Sequence, residues 1–334
     1  MEEQYIQRFT PAMLAEALAH YGATPESAHD LGGFENFIYH FEREGQPYIL
    51  RLAHSSRRDH DLIQAEVDWI NYLAAQGVPV AAAIRSDQGT LVEAIDDGHG
   101  EAFMATAFEL AVGRVYRESD DWTPALYERY GELLGSLHAL TQDYQPPTAA
   151  RRPAWDDPRM DYALSCLPAS EVAIAERYKA AKAEAQSLPR DPHAYGLLHY
   201  DAHKANILVS EDVHLTLIDF DDAAYAHFIF DIAIVIYHST AAVADREAEA
   251  AKLLPPFLTG YARRNRLDPA WLQQLPLFLK LREIDLYGVI HRDFDVDNIE
   301  HPRVAAFMEG RKERIEAGKP YLEMDFESYK QYLE

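Results

Sequence analysis

The chain has 334 residues, of which 48% are hydrophobic, enough for two domains or lobes with a substantial core. Its single cysteine, Cys166, excludes an internal disulfide and a cysteine metal cluster, and fits a reducing compartment. The formal net charge of −24 argues against nucleic acid and anionic membrane as partners, and it is as consistent with plain solubility as with a cationic substrate. Because we predict neither a signal peptide nor a membrane helix, we expect a cytoplasmic protein.

The first third of the chain is predicted to be rich in strands. Thr10 followed by Pro11 predicts a capped helix that runs to His20, and apolar periodicity predicts another helix at residues 60–75. Extended patterns predict strands at residues 37–41, 48–52, around 90–95 and 102–108. The first two of these strands are separated by a Gly-containing turn and therefore form a hairpin.

Beyond Gly113 the apolar pattern becomes helical. Helices are predicted at residues 124–141, roughly 160–187, 228–241, 245–265 and 270–291. We therefore predict an α+β fold in which residues 1–110 form a small β-rich N-terminal lobe and residues 111–334 form a larger, mostly helical lobe.

The segment at residues 196–222 interrupts the helical part and holds the most specific pattern. His199, Asp201 and Asn206 precede one short apolar run, and a second apolar run ends on Asp219. Two short strands joined by a turn would gather these carboxylate and amide oxygens into a cage that suits Mg²⁺. We expect Asp201 to orient the substrate hydroxyl and Asn206 with Asp219 to bind Mg²⁺, as in a phosphoryl-transfer enzyme that uses ATP.

Other interpretations of the same segment stay open. His199 either takes part in catalysis or organises the loop, and Lys204 either touches the γ-phosphate or is solvated. The spacing His199-x-Asp201-x-His203 also resembles that of zinc ligands. An apolar strand that ends in Asp219-x-Asp221 is also the pattern of phosphatases that form an aspartyl-phosphate.

Two features of the first lobe are candidates for nucleotide binding. Gly32 and Gly33 precede a strand and would let the backbone approach phosphates, although an ordinary turn explains them too. Glu66 shares the apolar face of the helix at 60–75, so its carboxylate should be buried and needs a partner. Arg51 on the preceding strand is that partner, and the pair either holds phosphate oxygens or is purely structural.

Asp231 opens a very apolar helix in the second lobe. A buried carboxylate at this position should accept backbone N–H groups, and we expect it to brace the loop that carries His199. A plain helix-capping role is the alternative.

These residues together resemble the aminoglycoside phosphotransferase and choline kinase-like superfamily, and in particular its homoserine-kinase-like branch. The resemblance implies a bilobal protein-kinase-like fold in which Asp201 is the catalytic base and Asn206 and Asp219 bind Mg²⁺. It also implies that the backbone near Ala107 and Glu109 meets adenine. The activity it implies is transfer of the ATP γ-phosphate to a hydroxyl group of a small molecule.

Two departures from that pattern bear on activity. Arg51 stands where lysine is usual, and Asp221 and Asp222 follow where glycine often stands. A non-catalytic nucleotide-binding or interaction protein on the same fold is therefore an alternative. A protein serine/threonine kinase is a second alternative, disfavoured because only eleven residues separate Asp219 from Asp231.

The predicted helix at 270–291 carries the candidate substrate residues. Asp285 could hold an amine, whereas Arg282 and His291 could hold a carboxylate. A packed helix with solvated charges is the alternative. The resemblance implies acceptors such as aminoglycosides, choline, ethanolamine, homoserine-like amino acids, sugars and occasionally protein serine or threonine. We favour an amine-bearing metabolite or an aminoglycoside-like substrate. The sequence does not indicate the oligomeric state.

Overall fold

The structure, a computed structural model, describes residues 3–33, 35–116, 121–296 and 298–334. The strands are β1 (His29–Asp30), β2 (Phe37–Arg43), β3 (Gln46–His54), β4 (Ala83–Ile84), β5 (Glu93–Asp96), β6 (Ala102–Glu109), β7 (Arg114–Val115), β8 (Tyr195–Leu198), β9 (Ile207–Val209), β10 (Leu215–Leu217) and β11 (Ala224–His227). The α-helices are α1 (Glu3–Ile6), α2 (Pro11–Ala19), α3 (His60–Ala75), α4 (Pro124–Thr141), α5 (Tyr162–Cys166), α6 (Val172–Gln186), α7 (Phe228–Thr240), α8 (Arg246–Ala262), α9 (Leu275–Asp293), α10 (Pro302–Met308) and α11 (Arg311–Glu316). Within the described ranges no helix is long and apolar enough to cross a membrane.

The chain forms two compact units. The first runs through Gly113 and also includes Tyr144–Arg152 and Leu208–Asp221, and the second contains the remainder. The hairpin that ends near Asp219 thus belongs to the first unit, although it lies in the part of the sequence assigned to the second lobe. The predicted division at residue 110 stays a prediction.

One antiparallel sheet organises the first unit, with strand order β1-β2-β3-β6-β4 and with β5 paired to β6. β2 and β3 form the predicted hairpin, and Glu44 and Gly45 at its turn both have positive φ, as a tight hairpin turn requires. The core of this unit lies between the sheet and α2, with Leu18 contributed by the helix and Tyr21 by the turn that follows it. Tyr21 also donates its hydroxyl to the Ala105 carbonyl at 3.3 Å.

Helix α3 has the bounds predicted from its apolar periodicity. Asp59 caps its start by accepting the backbone N–H of Leu62 at 2.9 Å. The buried face of the helix comprises Ile63, Ala65, Glu66, Val67, Trp69, Ile70 and Leu73. Glu66 is therefore a carboxylate within an otherwise apolar face.

In the second unit, α4 and α8 lie close together because glycines face backbone across the interface. A Cβ at Gly131 would lie 1.9 Å from the Phe257 carbonyl oxygen, and one at Gly260 would lie 1.9 Å from the Glu128 carbonyl oxygen. Helix α7 is buried along nearly its whole length, which explains its uninterrupted apolar sequence.

In the second unit, the structure corrects two predicted helices and contains two strands that were not predicted. The predicted helix at 160–187 is divided into α5 and α6, with Pro168 in the connection. The helix predicted from residue 270 begins as a 3₁₀ segment at Pro269–Gln274 before α9. Strands β8 and β11, which pair antiparallel, were not predicted because each has only four residues. The α+β class is confirmed.

Candidate active site

The loop between β8 and β9 carries His199, Asp201 and Asn206. It is held by hydrogen bonds to Asp231 on α7. The fully buried Asp231 carboxylate accepts the backbone N–H of His199 at 3.2 Å and that of Tyr200 at 2.8 Å. Its Oδ2 also lies 3.1 Å from Nε2 of His138. Tyr200 has φ +67°, a conformation that costs a bulky residue about 1–3 kcal/mol and persists only where surrounding contacts impose it. The predicted bracing contact of Asp231 is present.

The Asp201 carboxylate lies at the centre of a polar network in the second unit. Arg282 donates Nη2 to its Oδ1, while Nε2 of His203 lies 3.2 Å from its Oδ2. The Asn206 amide donates Nδ2 to the Asp201 carbonyl at 3.0 Å and to Oδ2 at 3.3 Å. Burial opposes ionisation, but Arg282 and then His203 hold the pKa of Asp201 well below its usual range. Asp201 is therefore an ionised acceptor in a fixed orientation.

The contacts of Asn206 leave its oxygen available for a cation. Because Nδ2 faces Asp201, Oδ1 faces away, and in the described ranges it accepts no hydrogen bond. Asp219, in the first unit, is exposed, has φ +64° and lies two residues beyond the end of β10. An amide oxygen and a carboxylate are hard donors, so each residue taken by itself suits a divalent cation that also binds phosphates, and the binding of Mg²⁺ by both stays a prediction.

His199 and Lys204 are both held by contacts within the second unit. His199 is fully buried, and its Nδ1 accepts the backbone N–H of Asp201 at 3.3 Å, which favours the loop-organising role over a catalytic one. Lys204 donates Nζ to the Tyr127 hydroxyl at 2.6 Å and lies 4.9 Å from the ring centroid of Trp122. Burial lowers the pKa of Lys204 to about 8. A contact of Lys204 with phosphate stays a prediction.

In the first unit, Arg51 and Glu66 form the predicted buried pair. Nη1 and Nη2 of Arg51 donate to the two carboxylate oxygens of Glu66 at 2.7 and 2.9 Å. The guanidinium also lies over the ring of Phe108, 5.1 Å from its centroid. Burial alone would lower the pKa of Arg51, but Glu66 raises it, with Asp221 and Asp219 acting in the same direction. Arg51, at the position where lysine is usual, therefore makes a bidentate contact with Glu66.

Asp221, two residues after Asp219 in the segment where glycine often stands, is neutralised by arginines that the sequence pattern does not indicate. Arg57 donates Nη1 to its carboxylate, and Nε of Arg58 lies 3.5 Å from Oδ1. Arg152 donates Nη2 to the Asp221 carbonyl at 2.6 Å. Burial opposes ionisation of Asp221, but Arg57 and Arg58 hold its pKa well below its usual range. In the sequence, the adjacent arginines Arg57 and Arg58 are the signal that could have indicated a buried acidic partner.

The glycines of the first unit lie in the connection before β2. Gly32 has φ +71° and donates its N–H to Oδ1 of Asp30 at 2.7 Å. A Cβ at Gly33 would lie 2.1 Å from the Asn36 carbonyl oxygen, so only glycine fits this backbone. Phe34, the next residue of the motif, lies outside the described residues. Phosphate binding at these glycines stays a prediction.

The expected adenine-contacting segment lies at the end of β6. Ala107 pairs with Leu50 on one side and with Ile84 on the other. Glu109 donates its N–H to the Ala82 carbonyl at 2.8 Å, so that N–H is already used within the sheet. A backbone contact to adenine would therefore involve other groups of this segment, and the role of both residues stays a prediction.

Helix α9 brings one of the three candidate substrate residues to the loop between β8 and β9. Arg282 contacts Asp201 directly, and Asp285 lies one turn further along the helix, where it accepts the Tyr178 hydroxyl. Burial raises the pKa of Asp285 to about 6. His291 lies nine residues, or about 13.5 Å, beyond Arg282 along the helix, with its ring 4.7 Å from that of Tyr287.

Comparison with known protein families identifies the family to which the chain belongs. The family model of the "phosphotransferase enzyme family" (APH) matches residues 29–275, most of the chain. The chain belongs to this family. The resemblance inferred from the loop motif is confirmed, and the zinc-hydrolase and aspartyl-phosphate interpretations of the motif are not supported.

Individual APH-family proteins resemble the chain over nearly its full length. Amicoumacin kinase of Bacillus subtilis (strain 168) is 34% identical over 319 residues, which cover 94% of both proteins. The solved structure of amicoumacin kinase hAmiN in complex with AMP-PNP, Ca²⁺ and Ami has 31% identity and a TM-score of 0.90 over 98% of this chain and 99% of that one. The microcompartment-associated aminopropanol kinase, at 23% identity and a TM-score of 0.74 over 92% and 96%, shares the fold.

The comparisons confirm the predicted kinase-like fold and the predicted class of activity. This APH-family chain is a small-molecule kinase, a phosphotransferase that uses ATP with a divalent cation and an alcohol group as acceptor.

Proposed function

We propose that this APH-family kinase transfers the ATP γ-phosphate to a hydroxyl group of an amine-bearing small molecule, and that an amicoumacin-type compound is an acceptor. The observation that carries the proposal is the oriented carboxylate of Asp201, held by donors on both of its oxygens. The choice of acceptor is supported by the two amicoumacin kinases that match nearly the whole chain.

Asp201 would place the acceptor hydroxyl in line with the γ-phosphate and accept its proton late in the transfer. Positioning and electrostatics dominate this class of reaction, so an ionised carboxylate in a fixed orientation suits the task better than a strong base. Asn206 and Asp219 would hold Mg²⁺. When bound, the ion offsets the negative charge of the phosphate oxygens.

In the first unit, Arg51 would face nucleotide phosphates while remaining paired with Glu66. Its fork is held by two hydrogen bonds, and neighbouring Asp219 and Asp221 influence the same guanidinium. The alternative of a non-catalytic protein rested on arginine replacing lysine at this position. The bidentate pair keeps the cation fixed, which favours activity.

The acceptor is proposed to be a cation held through Asp285. This carboxylate lies one helical turn from Arg282, which contacts Asp201, and is therefore in the region of the reacting hydroxyl. The net charge of −24 would also attract a cationic acceptor. The single cysteine and the use of ATP support a cytoplasmic location, which we propose as well.

A transfer assay with a panel of acceptors tests the proposal. Amicoumacin, an aminoglycoside, choline, ethanolamine and homoserine would each be incubated with the enzyme, labelled ATP and Mg²⁺, and products identified by mass spectrometry. We expect phosphorylated amicoumacin. Label transferred only to an acceptor without an amine would overturn the proposed acceptor class. Failure of ATP with Mg²⁺ to raise the melting temperature, together with no transfer at all, would favour the non-catalytic alternative.

A further inference from the structure

We propose that Arg282 is a positioning residue for Asp201 and does not bind the acceptor. This inference rests on the proposed function, because it assigns a role in the same reaction. It also replaces the sequence-based expectation that Arg282 holds a substrate carboxylate.

Protein contacts engage two of the three guanidinium nitrogens of Arg282, and in the described ranges only Nη1 is left for a ligand. Nη2 donates to Oδ1 of Asp201 and lies 2.8 Å from Nε2 of His238, and Nε also donates to that ring nitrogen at 3.1 Å. The Arg282 side chain is only 12% exposed. Two protein acceptors on different elements thus fix the plane of the fork.

His238 accepts these bonds as a neutral ring. Burial lowers its pKa well below the usual value, and the positive charge of Arg282 lowers it further. Because Nε of Arg282 can only donate, Nε2 is the unprotonated nitrogen of this neutral ring and its lone pair faces Arg282. His203, whose ring centroid lies 4.6 Å from that of His238, presents Nε2 to the opposite oxygen of Asp201 and accepts the Ala205 N–H at Nδ1.

A second, fully buried contact fixes the two helices that carry Arg282 and His238. Glu283, the next residue of α9, accepts Nη1 of Arg311 at 2.8 Å, and the same Nη1 donates to the hydroxyl of Tyr237, the residue before His238 on α7. Glu283 and Arg311 are 1% and 0% exposed. These bonds fix the register of α7 relative to α9. They thereby fix the position of the Arg282 guanidinium beside the catalytic loop.

The count of donors on Asp201 explains what this fixation achieves. A carboxylate offers about four lone-pair sites. Among the described residues, three side chains supply donors: Arg282 to Oδ1, and His203 and Asn206 to Oδ2. One site on Oδ1 is left for the acceptor hydroxyl. Without Arg282 the carboxylate could rotate, and this site would lose its direction.

The other charged groups near the pair do not replace this contact. Asp285 and Asp222 act on Arg282 only through space, and Tyr130 lies near Asp201 but donates its hydroxyl to the Ala202 carbonyl.

Because Arg282 acts through Asp201, its replacement should affect turnover more than acceptor binding. A displacement of the reacting groups by about 1 Å can lower the rate roughly 100-fold.

The test compares Arg282→Ala, Arg282→Lys and His238→Leu with wild type, in kinetics with ATP, Mg²⁺ and the acceptor that wild type phosphorylates. For Arg282→Ala we expect kcat to fall about 10–100-fold while the acceptor KM changes less than about threefold. Arg282→Lys should retain an intermediate kcat, and His238→Leu should lower kcat with an unchanged KM. Millimolar guanidinium should restore part of the kcat of Arg282→Ala and leave wild type unaffected.

Other results would overturn the assignment. A rise in acceptor KM with kcat preserved would make Arg282 a substrate-binding residue, and an increase in kcat would make the ion pair inhibitory. If Arg282→Ala does not fold, unchanged kinetics of both Arg282→Lys and His238→Leu would overturn the proposal. Absence of transfer by wild type would instead reject the proposed function, and the assignment of Arg282 with it.

Discussion

The carboxylate of Asp231 accepts the backbone N–H of Tyr200 at 2.8 Å, and so fixes the residue that immediately precedes Asp201. Tyr200 has a left-handed backbone that is unfavourable for a bulky side chain. The same carboxylate holds the His199 N–H and contacts the His138 ring. One buried acid at the start of α7 therefore determines the shape of the loop between β8 and β9.

Replacing Asp231 tests this relationship. Asp231→Ala leaves buried N–H groups without an acceptor, so we expect the free energy of unfolding to fall by about 3 kcal/mol and kcat to fall with it. Asp231→Asn, which retains one acceptor oxygen, is the matched control and should lose less. Urea unfolding followed by circular dichroism gives the stabilities. An unfolding midpoint equal to that of wild type in Asp231→Ala would contradict the bracing role.

The Arg51–Glu66 pair predicts a strongly non-additive pair of substitutions. Arg51→Ala leaves a buried carboxylate unpaired and should destabilise the protein by about 3–5 kcal/mol. The double variant Arg51→Ala/Glu66→Ala should be more stable than Arg51→Ala alone. The variant Arg51→Lys should still fold. Its affinity for ATP should be lower than that of wild type, since lysine cannot make both bonds to Glu66. Additive losses in a double-mutant cycle would show that the two residues are not coupled.

The arginines around Asp221 predict that this residue supports Asp219 and does not weaken cation binding. Asp221→Asn removes the ionic part of the contacts with Arg57 and Arg58. We expect ATP affinity in Mg²⁺, measured by calorimetry, to fall about 10-fold, equivalent to about 1.4 kcal/mol. Tighter binding in this variant would indicate that the extra negative charge acts against the nucleotide.

The raised pKa of Asp285 predicts the direction of a pH effect on stability. Because burial raises its pKa from 3.8 to about 6, the folded chain binds this proton more tightly than the unfolded chain. The resulting stabilisation is complete below pH 3.8 and is lost as the pH rises through about 6. Asp285→Asn should therefore raise the free energy of unfolding above about pH 7, by at most ~3 kcal/mol, and have little effect near pH 4. Equal effects at both pH values, in urea unfolding, would contradict this assignment.

Local sequence patterns predicted the parts of the site that depend on short spacing. The turn between two apolar runs placed Asp219 after a strand, and helical periodicity placed Glu66 among buried residues beside Arg51. The position of Asp231 in an apolar helix indicated a buried acceptor for backbone N–H groups. In each case a steric or solvation rule acts within a few residues of the chain.

The contacts that were missed join residues far apart in sequence. Arg282 is 81 residues from Asp201, and Arg57 is 164 residues from Asp221. Such polar pairs depend on how helices and loops pack, and they leave no periodic trace in either segment. The strands β8 and β11 were missed for the same reason, because four-residue strands are defined by their partner more than by their own sequence.

The most direct test of the central claim is single-turnover transfer of labelled γ-phosphate from ATP to amicoumacin by wild type and by Asp201→Asn. Asparagine has nearly the same shape as aspartate but lacks its charge, so ATP affinity should be retained. We predict phosphorylated amicoumacin with wild type and a rate about 10²–10⁴-fold lower with Asp201→Asn. Equal transfer rates in the two proteins would contradict the assignment of Asp201 as the residue that orients the acceptor hydroxyl.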